Sequence, residues 1–201
     1  MRLPAIVLAA GGSTRMGRPK PLLPAGSDGG TFVARVVRTL DEAGVHPVVV
    51  VTRADLAASL TLSAPRARVV VNHEADRGQL SSLLVGLDAL EPCEALVVTL
   101  VDIPFVAPDT VRALVDRWKE TRAPLVRPLY EGRHGHPAIL DRSIVQALRE
   151  ADLGAGAKPV LRRFAAAALS VDVKDPAVAF DIDTPEEYAR ALERFGTSGV
   201  R

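Results

Sequence analysis

The sequence predicts an α/β domain built on a mostly parallel central sheet flanked by helices. Three observations predict it. Short apolar runs alternate along the chain with longer segments of helical period. Several of these runs are apolar at consecutive positions, as in strands buried on both faces. Polar residues follow these runs directly, several of them glycines, acids or amides, at the sheet edge where such folds bind ligands.

Residues 5–10 (AIVLAA) read as the first strand, running straight into a glycine-rich loop. Residues 31–43 place Phe32, Val36, Val37 and Leu40 on one face of a helix that Gly44 stops. Residues 47–52 and 68–72 are the next strands, 80–90 a helix, and 95–101 a fourth strand. A helix over 108–120 follows, with Pro108 suited to its first turn. Residues 124–130 and 137–140 read as strands joined by the turn at 131–135, a small β-hairpin insertion. Asp141 is placed to cap a helix through 151, and Gly154 and Gly156 interrupt the chain before a helix over 158–167. Residues 178–182 read as a late strand, and Asp183-Thr184-Pro185-Glu186-Glu187 starts a last helix through 195. GTSGVR at 196–201 is expected to fray. Without an internal repeat or a linker, the expectation is a single domain over 1–201.

With 201 residues, 48% hydrophobic and 24% charged, the composition indicates neither a disordered chain nor a membrane protein. No apolar run approaches a membrane span, and the N-terminus turns into glycine too soon for a cleavable signal, so a cytoplasmic location is expected. Cys93 is the only cysteine, which excludes an internal disulfide and a cysteine-rich zinc site. A net charge of +1 offers no general field for nucleic acid. Positive charge therefore matters only where it clusters, above all at 15–20.

Residues 8–20 (LAAGGSTRMGRPK) carry Gly11, Gly12 and Gly17 with Arg15, Arg18 and Lys20. Glycines let the backbone approach a ligand and present its N–H groups, and the cations neutralise charge, which suits a di- or triphosphate. The spacing matches neither the dinucleotide fingerprint nor the Walker A loop, whose lysine would have to follow Gly17 directly. Pro19, Pro21 and Pro24 argue against a helix there, so this is a long loop over a ligand or, alternatively, a solvated one.

The other strand ends deliver Thr52-Arg53, Asn72-His73, Asp102-Ile103-Pro104 and Asp181-Ile182-Asp183. Asp102 follows its strand without a break, and Pro104 keeps Ile103 extended, which could aim the carboxylate at a ligand; the alternative is a cap for the next segment. Asp102 and Asp183 could share one Mg²⁺, which needs few protein oxygens and keeps waters and substrate phosphates. Asp181 shares that spacing and competes for the role, and Asp183 could equally be a helix cap. Gly78-Gln79-Leu80-Ser81-Ser82 opens a helix whose N–H groups and hydroxyls could receive a base, ribose or phosphate, or merely cap it. His134 and His136 lie too close to the turn for spacing to assign them as ligands.

Together these segments resemble the MobA-like nucleotidyltransferases, most nearly the molybdenum cofactor cytidylyltransferase type. The resemblance is carried by LAAGGSTRMGRPKPLL, GQLSSL at Gly78, VTLVDIP around Asp102, RHGHPAIL at Arg133 and FDIDTPEEY at Phe180. It implies a Rossmann-like nucleotidyltransferase fold, and transfer of a nucleotidyl group from an NTP to a phosphorylated acceptor with loss of pyrophosphate. By position, it implies that Leu8, Ala9, Ala10 and Gly11 contact the nucleotide through the backbone and that Lys20 and Arg15 hold its phosphates. It implies further that Thr52 and Asn72 contact base or ribose, that Gly78 and Ser82 shape the pocket, and that Asp102 and Asp183 bind Mg²⁺. The hairpin with Gly135, His136 and Pro137 then lies on the acceptor side. Where the cytidylyl type has Gly-Asp-x-Gly-Ala-Arg, this chain has Leu153-Gly154-Ala155-Gly156-Ala157-Lys158. Ala10 favours the cytidylyl type, since guanylyl relatives tend to read LAGG there.

The leading expectation is thus a Mg²⁺-dependent transfer of CMP from CTP to a molybdopterin-type acceptor, with a molybdoenzyme as a possible partner. The alternatives are GTP as donor, a sugar phosphate or other small phosphate as acceptor, an NAD(P)H-dependent reductase, and a non-catalytic cofactor chaperone.

Overall fold

The computed structural model describes residues 3–26 and 30–196; most of the GTSGVR tail lies outside them. Strands β1 (Ala5–Leu8), β2 (Val48–Thr52), β3 (Arg68–Val71) and β4 (Ala95–Leu100) lie parallel in the order β3-β2-β1-β4. β7 (Ala138–Asp141) runs antiparallel against β4, β5 (Leu125–Tyr130) antiparallel against β7, and β8 (Leu169–Asp172) parallel against β5. A short β6 (Arg133–His134), antiparallel to β5, completes an eight-stranded sheet.

The side chains of β1, β2 and β4 alternate between two cores, as the period of two in a strand requires. Ala5, Val7, Val48, Val50, Ala95 and Val97 pack toward α1 (Phe32–Glu42), α4 (Pro108–Thr121) and α7 (Pro185–Phe195). Ile6, Val49, Val51, Leu96 and Val98 pack toward α3 (Gln79–Asp88), α5 (Arg142–Arg149) and α6 (Lys158–Arg163). Burial on both faces explains why these strands read as unbroken apolar runs. Helix ends follow their signals: Thr31 caps α1, Asp141 caps α5, and Thr184 with Glu187 closes a reciprocal capping box on α7. The cap of the last helix is therefore Thr184, which leaves Asp183 free for other work.

Two expectations need correcting, and two elements, β8 and a short helix, were not foreseen. Residues 178–182 form no strand: Pro176–Ala179 is a 3₁₀ turn, and the apolar character of Val178 and Ile182 reflects fully buried side chains on an irregular segment. The late strand is β8, whose alternating half-buried and exposed residues follow an alanine-rich stretch that masks them. The helix expected over 158–167 stops as α6 at Arg163 and resumes as a 3₁₀ turn, Ala165–Ala167. A short helix α2 (Ala57–Ser63), which buries only Leu60, links β2 to β3; one apolar anchor is too little for periodicity to reveal.

The hairpin forms, but with an interruption. Glu131 and Gly132 both have positive φ, 47° and 76°, and close a tight turn between β5 and β6. Leu129 pairs with His134 and Val126 with Ile139, so the returning arm spends five steps where β5 spends three. The surplus is taken up at 135–137.

Gly86 sets how closely α3 approaches the sheet. A Cβ there would stand 2.8 Å from Ile6 Cγ2 and 3.0 Å from Val51 Cγ2. Overpacking costs about 1–3 kcal/mol, of which the better helix propensity of alanine returns at most about 1. Gly86→Ala is expected to lower the unfolding free energy by about 1–2 kcal/mol in a denaturant titration; an unchanged midpoint would show that the helix shifts freely.

Candidate active site

From β1 the chain builds β2 and β3 on one side, then returns through α3 to place β4 on the other. The chain connections beyond the carboxyl ends of β1 and β4 therefore part to opposite sides, and a crevice opens there. It is a cleft of about 260 Å³, walled by residues 8–11 at the exit of β1, by Lys20 and Asp102, and by Gly78 and Ser82 from the start of α3. The apolar runs of β1 and β4 were expected to extend to Ala10 and Val101, but pairing ends at Leu8 and Leu100, which frees the next residues to line the cleft.

At its floor, Lys20 Nζ donates to Asp102 Oδ2 at 2.9 Å and to Asp183 Oδ1 at 2.5 Å, and Arg15 Nη2 donates to Asp183 Oδ2 at 2.8 Å. Lys20 is only 9% exposed. Burial pulls its pKa down, but hydrogen bonds to both carboxylates and their charge outweigh this and raise it overall. The Asp183 carboxyl lies below the usual range, chiefly through the Lys20 hydrogen bond and further through the charges of Lys20 and Arg15. Lys20 therefore stays cationic and Asp183 anionic around neutral pH. The loop is pinned for this: Ser13, at φ 51°, accepts the Lys20 backbone N–H on its hydroxyl at 3.1 Å, and Met16 is buried beneath. Behind β4, Ile182 N–H donates to the Asp102 carbonyl at 3.0 Å, which brings the 181–183 segment to the same edge.

Thr52 and Asn72, expected at the base or ribose, are buried and line no part of the cleft. Asn72 Nδ2 donates to Ser81 and Ser82 Oγ at 2.9 and 3.0 Å, while its carbonyl oxygen accepts from the Glu74 N–H. Asn72 thus positions the start of α3, and only Ser82 reaches the cleft. Gly78, at φ 96°, supplies the left-handed turn into that helix.

A second cavity of about 570 Å³ adjoins the first, sharing Leu8, Gln79 and Leu100 with it. Gly135, His136 and Asp181 line it, together with Arg127 and Lys158. A Cβ at Gly135 would stand 1.8 Å from the Val178 carbonyl oxygen, so glycine is required there. His136 holds Nδ1 3.4 Å from the Val98 carbonyl, and burial pushes its imidazole below the ordinary value. Asp181 is pushed up, first by burial and then by the charge of Asp102. Pro137, expected beside His136, lies instead on the opposite face of the sheet, against Thr99 and Ile103. Neighbouring residues of an extended arm face opposite sides of the sheet, so His136 and Pro137 part here. Arg127, a lone cation inside the apolar run of β5, was not anticipated; that isolation is the signal that could have found it.

Among the described residues, no set of three or more His, Cys, Asp or Glu is grouped to hold a metal by itself. Asp102 nevertheless keeps one buried oxygen, Oδ1, without a hydrogen-bond partner, while its other oxygen and Asp183 share the Lys20 ammonium. Two carboxylates with a spare oxygen fit a hard divalent cation that completes its shell with water and substrate phosphate.

A family model described as the MobA-like NTP transferase domain matches residues 5–171. Nicotine blue oxidoreductase of Paenarthrobacter nicotinovorans is 32% identical over 93% of this chain and 95% of its own. A probable molybdenum cofactor guanylyltransferase of Mycobacterium avium is 33% identical over 71% of each. The structure of Rv0371c from Mycobacterium tuberculosis superposes with a TM-score of 0.82 at 28% identity, covering 96% of this chain and 98% of that one. A structure of Rv0371c in complex with manganese superposes with 0.78 at 27%, covering 96% and 99%. The chain belongs to the MobA-like NTP transferase family.

Proposed function

We propose that this nucleotidyltransferase moves a nucleotidyl group, CMP in preference to GMP, from an Mg²⁺-bound NTP to the phosphate of a molybdopterin-type acceptor, releasing pyrophosphate. The observation that carries the reading is the Lys20 ammonium held between Asp102 and Asp183 at the floor of a cleft that opens into a second cavity. Both substrates then meet in one domain, in the cytoplasm, before the product passes to a molybdoenzyme.

The backbone of residues 8–11 receives the nucleotide, with Gly11 leaving open space where a Cβ would project. Ala10 at the exit of β1 favours cytosine, as the resemblance implies. Asp102 and Asp183 are the residues that would hold the divalent ion, and the manganese complex of Rv0371c supports the use of such an ion. When bound, that ion screens the phosphate charge and polarises the phosphorus under attack. Lys20 and Arg15, the cations beside those carboxylates, would hold the phosphates. An acceptor phosphate oxygen bonds to the α-phosphorus in line, and the bond from that phosphorus to the β-bridging oxygen breaks. Lys20 stabilises the charge developing on the leaving pyrophosphate, and positioning supplies much of the rest. No proton need move.

Equilibrium binding of CTP, GTP, ATP and UTP with and without Mg²⁺ tests the reading. Mg²⁺-dependent binding with CTP at least about tenfold tighter than the others is expected, a gap of about 1.4 kcal/mol. Tighter GTP binding would move the base preference to that of the Mycobacterium avium relative's name. Binding of NADPH without any NTP would favour a reductase, the reading suggested by the Paenarthrobacter relative. NTP binding with molybdopterin but no pyrophosphate release would indicate a chaperone, and release only with another phosphate would change the acceptor.

A further inference from the structure

The second cavity holds more positive charge than the nucleotidyl transfer needs. Arg127 stands near the middle of β5, two residues after Leu125 and on the same face of the sheet, toward α3, α5 and α6. Its Nε is buried without a hydrogen-bond partner. Arg133 and Lys158 line the same cavity, and among the described residues none of the three cations has an ion-pair partner. The only carboxylate in the lining is Asp181. The remaining wall is largely apolar, with Leu80, Leu83, Leu148 and Leu161 among its residues.

A half-buried guanidinium whose Nε is buried without a partner costs stability unless a ligand completes it. We propose that Arg127 and Lys158 form a second anion-binding site, so that the acceptor carries an anionic group besides the phosphate that is nucleotidylated. The apolar wall receives the body that joins the two groups. A volume of about 570 Å³ suits a molecule of drug size. The two neighbouring imidazoles add no competing charge: His134 is held low by burial and then by the charge of Arg127, and His136 by burial.

This inference rests on the nucleotidyltransferase reading for the word acceptor, but the anion site can be tested without nucleotide. Inorganic phosphate is titrated into ¹⁵N-labelled protein while the Arg127 Nε–Hε signal, assigned by its loss in Arg127→Gln, and the Gly135 amide are followed. Both signals are expected to shift saturably. Read at Gly135, Arg127→Gln should weaken the binding about tenfold or more and Lys158→Gln about threefold or more, as loss of charge-assisted hydrogen bonds implies. Lys20→Met should leave it within about twofold, because that lysine does not line the cavity. Lys158 is exposed, so its variant tests the site even if Arg127→Gln proves unstable. Absence of a saturable shift, or binding lost in Lys20→Met and kept in Arg127→Gln and Lys158→Gln, would overturn the proposal. Repeating the titration with CTP and Mg²⁺ separates the two readings. Phosphate binding without CTP binding leaves the anion site standing and removes the nucleotidyltransferase reading, and the reverse result removes only the anion site. Competition between CTP and phosphate at Arg127 would assign the site to the nucleotide's own phosphates and also overturn the proposal.

Discussion

Lys20→Met is expected to lower turnover by about 100- to 1,000-fold, the range seen when one preorganised charge-stabilising group is removed. It should also change stability in a pH-dependent way. In the wild type the depressed Asp183 pKa contributes stability that is present above the ordinary aspartate value, about 4, and is lost as pH falls through the folded value. The raised Lys20 pKa contributes stability that is present below the ordinary lysine value, about 10.4, and is lost as pH rises through the folded one. The variant should therefore be less stable than wild type by about 1–3 kcal/mol between roughly pH 5 and 10, with the gap narrowing on either side. Partial exposure of both carboxylates, 22% and 26%, holds the loss below that of a fully buried pair. Denaturant titrations across pH check this; a gap independent of pH would mean that the lysine acts through packing alone.

Asp102→Asn should affect function and spare the fold. The amide oxygen can still accept from Lys20, and the unpartnered Oδ1 makes no hydrogen bond whose loss would cost stability. Removing the charge is expected to abolish the Mg²⁺-dependent part of NTP binding and to cut turnover by about 100-fold or more, with the unfolding free energy within about 1 kcal/mol of wild type. Unchanged turnover would take Asp102 out of the site.

The parallel half of the sheet was legible because burial on both faces leaves unbroken apolar runs, as at 48–51 and 95–98. Helix starts were legible where a side chain closes a cap, as at Thr31 and Asp141. The second half was less so. Val178 and Ile182 are apolar for packing alone, and β8 alternates over only four residues directly after an alanine run, too short a stretch to stand out. At the site, Lys20 and Asp102 could be found because each directly follows or precedes a recognisable punctuation, the prolines of the loop and the end of β4. The roles of Thr52 and Asn72 could not: a residue just beyond a strand either faces the ligand or turns inward. Asn72 turns inward to hold two serines of α3. Pro137 failed for a simpler reason: the period of two in an extended arm turns it to the face opposite His136, the face that Ile139 shares.

The most direct measurement is pyrophosphate release from CTP and molybdopterin by the wild-type protein with Mg²⁺, alongside Asp102→Asn under the same conditions. Release stoichiometric with a cytidylylated product, dependent on both substrates and lost in Asp102→Asn, is the expected result. Absence of release with any NTP, or release undiminished in Asp102→Asn, would contradict nucleotidyl transfer at the centre formed by Lys20, Asp102 and Asp183.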